Sequence, residues 1–113
     1  MNKITLNKGQ FYKLKQYRGD RMYVIICPLK KTTLDVNRYS SYIPTLFKVT
    51  GYGKRKKLYA YSFSKYHINT IIDNVNYNTV KPLTIKECMQ LNIFLRQEKY
   101  VFNKKTYKLI KLR

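Results

Sequence analysis

Four consecutive basic side chains near the middle of the chain are the residues best suited to chemistry with phosphate groups. They lie in the stretch TGYGKRKKLYAYSFSKY, with tyrosines on both sides. Cationic side chains neutralise phosphates, and exposed aromatic rings stack on unpaired bases. A solvated turn with inward-pointing rings is the alternative interpretation of the same stretch. The nucleic-acid-binding interpretation assigns contacts to Tyr52, Lys54, Arg55, Lys56, Lys57, Tyr59 and Tyr61.

Groups able to carry proton or metal chemistry are few and scattered. His67 is the single histidine, so it is a candidate general base, with a packed strand residue as the alternative. The five carboxylates form no paired-acid pattern, and one histidine with two distant cysteines gives no zinc-ligand spacing. We therefore expect no metal ion and no cofactor.

The charge balance indicates a polyanionic partner. The 113 residues include 24 Lys and Arg against 5 Asp and Glu, a formal net charge of +19. A compact domain with so much charge of one sign repels itself, and nucleic acid, an anionic membrane or an acidic protein would relieve that repulsion.

No apolar run approaches the length of about 20 residues that a spanning helix needs, and the first residues lack a signal-peptide pattern, so we expect a cytoplasmic protein. Cys27 and Cys88 each lie in an apolar segment and are expected to be free thiols.

The hydropathy pattern up to about residue 75 predicts mostly short strands. The run MYVIICP is continuously apolar and predicts a central strand, whereas QFYKLKQY alternates as a half-buried strand does. The segments predicted are a strand at 10–17, a turn at 18–21, the central strand at 22–28, an irregular loop at 29–41, a strand at 45–52, a turn at 51–57, a strand at 57–66, and a strand or short helical turn at 67–75.

One helix is predicted near residues 84–97. Thr84 and Glu87 have the spacing of a capping box, and an apolar stripe of Ile85, Cys88, Leu91 and Leu95 is expected to face the core. The tail alternates again around Asn103 and predicts a closing hairpin. A mainly β (α+β) chain results, a small β-barrel with one packed helix, in a single domain over residues 1–113.

The order of these segments resembles the MazF/PemK family of toxin endoribonucleases, which are SH3-like barrels with a C-terminal helix. The resemblance rests on NKGQFYKLK, RGDRMYVIICP, PTLFKVTGY, INTI and LTIKE, in that order, over about residues 8–97. It implies metal-independent cleavage of single-stranded RNA. Arg21 would then be the cation at the scissile phosphate and Thr50 the hydroxyl that orients it.

The resemblance also implies partners. Such toxins are homodimers neutralised by an acidic antitoxin, which a chain of net charge +19 would suit. Besides the basic hairpin, the loop at 30–38 would hold the RNA, through Lys30, Lys31 and Arg38.

Two other interpretations stay open. Met22 and Gly51 stand where the family has a proline and a polar residue, and this departure favours a non-catalytic protein of a phage or mobile element. Such a protein would coat nucleic acid or block a host nucleic-acid enzyme, such as a CRISPR effector. A basic ribosome-associated protein fits the charge but not the order of segments. The bland alternatives are that Arg21 flanks a turn and that Thr50 is an ordinary strand residue.

Overall fold

In a computed structural model, the described residues form eleven strands and one helix. The model describes residues 3–16, 22–35, 41–42, 45–54, 57–65, 71–72 and 75–113; for 16, 22, 41–42, 46, 51–54, 57–65, 71–72 and 75–78 it describes the backbone only. The elements are β1 Lys3–Leu6, β2 Tyr12–Gln16, β3 Met22–Pro28, β4 Thr32–Asp35, β5 Ser41–Tyr42, β6 Thr45–Lys54, β7 Lys57–Lys65, β8 Ile71–Ile72, β9 Val75–Pro82, α1 Ile85–Gln97, β10 Tyr100–Asn103 and β11 Lys108–Lys111.

A five-stranded antiparallel sheet organises the molecule. Its order is β7-β6-β3-β2-β9, so β3 lies at its centre, as its unbroken apolar run predicts. Three two-stranded pairs accompany it: β1 with β4, β5 with β8, and β10 with β11. The mainly β class with one packed helix is therefore confirmed, and the described strands form an open sheet with β7 and β9 at its edges.

Both faces of the central sheet are buried, which explains why β3 does not alternate between apolar and polar residues. Successive residues of a strand point to opposite faces, so Val24 and Ile26 face one layer while Tyr23 and Ile25 face the other. The first layer is the β1–β4 pair, and the second is α1 with the terminal hairpin. The two cores are Leu6, Tyr12, Leu14, Val24, Ile26 and Leu34 on one face, and Phe11, Tyr23, Ile25, Cys27, Phe47, Val49, Leu91, Leu95 and Leu109 on the other.

The segment predicted to be an irregular loop at 29–41 contains a strand, so that prediction is wrong for part of its length. Residues 32–35 form β4, which pairs with β1 in the register Ile4↔Leu34 and Leu6↔Thr32. Leu34 is 1% exposed against the first core. The pairing joins residues about 30 positions apart, and no local pattern reports such a contact.

A β-bulge sets how β6 aligns with β3. Ile26 pairs with Lys48 but Pro28 pairs with Thr45, which leaves one extra residue on β6. The buried Thr45 hydroxyl accepts a hydrogen bond from the Cys27 N–H at 3.1 Å and lies 3.0 Å from the Cys27 carbonyl, to which it can donate. The Thr45 side chain thereby replaces ladder bonds that the bulge breaks.

The predicted helix and its capping box are confirmed, but its apolar stripe begins elsewhere. The Thr84 side chain accepts from the Glu87 N–H, and the Glu87 carboxylate accepts from the Thr84 N–H. The buried line is Glu87, Leu91 and Leu95, whereas Ile85 is 82% exposed. Glu87 points inward because its carboxylate also pairs with Lys13 of β2, and Ile85, two residues earlier, is thereby rotated to the outside.

The tail forms the predicted hairpin, which closes over the second core. Asn103 Oδ1 accepts hydrogen bonds from the N–H groups of Lys105 and Thr106, so it shapes the turn before β11. Phe102 of β10 packs against Phe11 and Phe47, with ring centroids 5.0 and 6.3 Å apart respectively. The hairpin is therefore an integral part of the core.

Two predicted segments differ in extent from the structure. The turn expected at 51–57 is shorter, because β6 continues to Lys54 and β7 begins at Lys57. Of the segment expected at 67–75, residues 71–72 form β8 and residue 75 begins β9, while the rest, including His67, lies outside the described residues.

Candidate nucleic-acid interface

The hairpin of β6 and β7 brings the predicted contact residues Tyr52, Lys54, Lys57 and Tyr59 to one end of the sheet. In its register Tyr52 lies opposite Tyr59 and Lys54 opposite Lys57. Arg55 and Lys56 fall between the two strands, outside the described residues. Lys54 and Lys57 thus lie at the ends of the two paired strands, and the Tyr52–Tyr59 pair lies two residues from them on each strand.

This register places like charges directly across from each other. Opposed lysines on neighbouring strands destabilise a hairpin, because cross-strand residues are about 5 Å apart. A phosphate between the two strands would turn that repulsion into attraction. The register therefore pairs two positively charged residue types at this end of the hairpin.

Thr50 lies farther down the same strand, beside an irregularity in the sheet. It pairs with Val24 of β3 and with Ser62 of β7, and the register shifts between Thr50 and Gly51 so that Tyr61 is the extra residue on β7. Such bulges bend a strand and redirect its side chains. Thr50 is half-buried.

Lys48 is a cation near Thr50 that sequence analysis did not select. Phe47 and Val49 are buried in the second core, so Lys48 and Thr50 share the opposite face of β6. The two side chains are two residues apart on one strand, about 7 Å along it, and Lys48 is half-buried. The alternation of TLFKVT already indicates that Lys48 and Thr50 share one face of a strand. The family resemblance, however, pointed only to the threonine.

Arg21 lies outside the described residues, while its neighbour in sequence is placed. Met22 begins β3 and pairs with Tyr52, two register positions from the Val24↔Thr50 pair. The chain therefore enters β3 at the end of the sheet where the basic hairpin lies.

Lys30 and Lys31 lie at the other end. Both are exposed and follow β3, whose last residue, Pro28, pairs with Thr45 at the start of β6. Nine residues of extended strand separate Thr45 from Lys54, about 30 Å. Arg38 lies outside the described residues. The structure thus brings the hairpin residues together and leaves Lys30 and Lys31 far from them.

The Glu87 carboxylate is held ionised by its structural contacts. Burial raises the pKa of Glu87, but the Lys13 ammonium, 2.5 Å from its carboxylate, and hydrogen bonds at Thr84 outweigh that effect and lower the pKa overall. Glu87 is therefore a cap and an ion-pair partner, unsuited to acid catalysis at neutral pH.

The two cysteines are free thiols, as expected, and neither is activated. Burial raises the pKa of Cys27 to about 12 and also raises that of Cys88, although Lys104 opposes the second shift. Among the described residues no group of three or more His, Cys, Asp and Glu side chains could hold a metal ion.

In comparisons with known proteins, no family model, curated protein or solved structure matches the chain. Within the part of the chain that the structure describes, α1 is the only helix, and it is too short and too polar to cross a membrane.

Proposed function

We propose that this protein binds single-stranded RNA through the hairpin of β6 and β7. The observation that carries the proposal is the register that opposes Lys54 to Lys57 and Tyr52 to Tyr59. Phosphates would lie between the basic residues of the tip, and unpaired bases would stack on the tyrosine rings below it. The net charge of +19 supports the same class of ligand.

Binding of a fluorescently labelled RNA of about 16 nucleotides, the upper site size of one small β fold, tests the proposal by anisotropy across a salt series. The double variant Lys54→Gln/Lys57→Gln should weaken binding at least about tenfold. It should also lower the slope of log affinity against log salt by about 1.4, because each phosphate contact to a single strand contributes about 0.7.

The matched control is Lys108→Gln/Lys111→Gln, which removes the same charge from exposed positions of β11. We expect less than a threefold loss and an unchanged slope. Equal losses in both double variants would mean that net charge alone attracts RNA, and would remove the hairpin from the proposal.

Lys30 and Lys31 are tested by RNA length. If the strand runs from the hairpin to the other end of the sheet, Lys30→Gln/Lys31→Gln weakens a 16-nucleotide RNA and leaves one of about 4 nucleotides unaffected. No loss with either RNA would restrict the interface to the hairpin.

Cleavage of the bound RNA is a second candidate function, favoured by the Lys48 and Thr50 side chains on one face of β6. In this version the Thr50 hydroxyl orients the scissile phosphate, and Arg21 and Lys48 stabilise the charge that develops on it. The 2′-hydroxyl attacks the adjacent phosphorus, the bond from phosphorus to the 5′-oxygen breaks, and a 2′,3′-cyclic phosphate forms. Water accepts the proton of the 2′-hydroxyl and donates one to the leaving 5′-oxygen, so the step requires no metal.

Incubation of a long RNA in EDTA, with mapping of cut ends, separates the two candidates. Specific cuts that disappear in Arg21→Ala and in the nearly isosteric Thr50→Val, with RNA affinity retained, would support the enzyme. Tight binding without cuts would support a non-catalytic binder.

A further inference from the structure

The outer face of α1 carries an apolar line that nothing in the described chain covers. Ile85, Met89 and Ile93 are 82%, 59% and 58% exposed. They are spaced at i, i+4 and i+8, so they form one row along the helix. The buried residues Leu91 and Leu95 lie on average about 140° from this row around the axis, so the helix is apolar on two separate sides.

A cavity continues this row at the C-terminal end of the helix. It has a volume of about 310 Å³ and lies between α1 and β10. Ile93 belongs to both the row and the cavity wall, and Val101 and Phe102 contribute apolar surface on the β10 side. One large aliphatic or aromatic side chain fits a space of this size.

Basic side chains surround the row and the cavity. Arg96 and Lys104 line the cavity, and Lys86 is exposed on the first turn of α1. Residues 84–113 contain eight Lys and Arg against two glutamates, and one of those, Glu87, is turned inward against Lys13. The surface is therefore an apolar strip within a positive field.

This combination selects among the three kinds of occupant. A second copy of the chain would bring another +19 of charge against the same positive face. Nucleic acid would satisfy the charge, but the row of two isoleucines and a methionine offers its bases neither rings nor hydrogen bonds. The rings in the cavity wall, Tyr100 and Phe102, are half-buried, and Phe102 is packed against Phe11 and Phe47. An amphipathic helix with apolar residues at i, i+4 and i+7 and acidic residues beside them satisfies both features.

We propose that the outer face of α1 is the docking site for an acidic amphipathic helix of a protein partner. Apolar side chains of that helix lie along Ile85, Met89 and Ile93, one of them enters the cavity beside Phe102, and carboxylates meet Arg96 and Lys104. The site is separate from the RNA-binding hairpin and does not depend on it.

The probe is a labelled synthetic helical peptide of about three heptads, with leucine at a and d and glutamate at most other positions. Two twins accompany it, one with lysine for each glutamate and one with serine for each leucine. Binding is followed by anisotropy, and amide shifts of the protein in NMR locate the contact. The acidic amphipathic peptide should bind at least about tenfold more tightly than either twin, with shifts concentrated in α1 and β10.

The double variant Met89→Ser/Ile93→Ser should lose at least about tenfold in affinity for the acidic peptide and keep its fold, since both side chains are largely exposed. Ile110→Ser, which truncates an exposed isoleucine that does not line the cavity, is the matched control and should change affinity less than twofold. Lys54→Gln/Lys57→Gln should change it less than threefold, so failure of the RNA proposal leaves this one standing.

Four results would overturn the proposal. The first is equal binding of the acidic and basic peptides, and the second is unchanged affinity in Met89→Ser/Ile93→Ser. The third is loss of RNA affinity in that same variant, which would make the face a nucleic-acid contact. Sedimentation of the protein alone is the remaining check, because a dimer abolished by Met89→Ser/Ile93→Ser would assign the face to a second copy.

Discussion

Glu87 connects the helix to the central sheet and makes the stability of the fold depend on pH. Its carboxylate caps α1 at Thr84 and pairs with Lys13 of β2, so it links the second layer to the central sheet. Because these contacts lower the pKa of Glu87 below its ordinary value near 4.5, the stabilisation they provide is fully present above that value. It is lost as the pH falls through the lowered pKa of the folded state.

We predict that Glu87→Gln, which retains a capping side chain but not the charge, lowers the free energy of unfolding by about 1–2 kcal/mol at pH 7. The difference from the unaltered protein should stay constant down to about pH 4.5 and then shrink as Glu87 itself becomes protonated. Urea unfolding at a series of pH values measures this. Glu98→Gln, at an exposed glutamate beside the helix end, is the control and should stay within about 0.5 kcal/mol.

Gly9 is the second residue with an effect beyond its own position. It has φ +75° and donates its N–H to the Pro28 carbonyl, and a Cβ added there would collide with the ring of Tyr107. Lys8 lies over that same ring, 4.8 Å from its centroid. The turn before β2 therefore packs against the turn of the terminal hairpin through the Tyr107 ring, and each turn stabilises the other.

We predict that Gly9→Ala destabilises the fold by about 1–3 kcal/mol, from backbone strain together with displacement of Tyr107. Thermal unfolding of Gly9→Ala, Tyr107→Ala and the double variant separates these causes. The double variant should be less destabilised than the sum of the two single variants. If the destabilisation of the double variant equals the sum of the two single variants, the Tyr107 ring moves aside at no cost. The effect of Gly9→Ala then comes from the φ angle alone.

At the scale of elements, the local sequence pattern predicted those strands and helices whose signals lie within a few neighbouring residues. The β3 run and the Thr84 capping box predict their elements because apolar continuity and cap spacing act within a few residues. The β1–β4 pair escaped prediction because it joins the start of the described chain to a polar stretch, and only the burial of Leu34 reveals it. The exposure of Ile85 escaped because the ion pair of Glu87 with Lys13, a contact between distant residues, sets the rotation of α1.

The candidate site divides in the same way. The charge and rings of the β6–β7 hairpin are visible in sequence, and the structure adds the register that opposes them. The sequence prediction placed Lys30 and Lys31 in the same interface as the hairpin. Their positions in the sequence do not show that they follow β3 at the opposite end of the sheet. The roles of Arg21 and Thr50 rest on resemblance and stay predictions.

The tyrosine pair gives the hairpin its own prediction. If bases stack on it, Tyr59→Phe should retain RNA affinity within about twofold, whereas Tyr59→Leu should lose about 1–3 kcal/mol of binding free energy. Anisotropy with the RNA of about 16 nucleotides measures both, and circular dichroism checks that each variant folds. Equal affinity of the two variants would assign Tyr59 to packing instead.

At the scale of the whole molecule, a net charge of +19 is confined to a body with a radius of gyration of 13.3 Å, close to the value of about 13 Å expected for one domain of this size. Repulsion over such short distances opposes folding, and added salt screens it because the Debye length is about 10 Å at 0.1 M.

We therefore predict that sodium chloride raises the melting temperature, by about 5 °C between 0.02 and 0.5 M, while RNA affinity falls steeply over the same range. Scanning calorimetry and anisotropy on the same samples measure the two trends. A melting temperature that does not change with salt would mean that the positive charges are too well dispersed to strain the fold.

The two-sided burial of the central sheet has a consequence for how the protein is made. β2 reaches its partner β9 only after residue 82 has been synthesised, and the second core stays open until Leu91, Leu95 and Leu109 follow. At about 5–20 residues per second, a strongly apolar β3 is exposed for several seconds on the ribosome before its last cover arrives. The lysines between the apolar segments have the character of gatekeeper residues, because their charge repels neighbouring nascent chains during that interval.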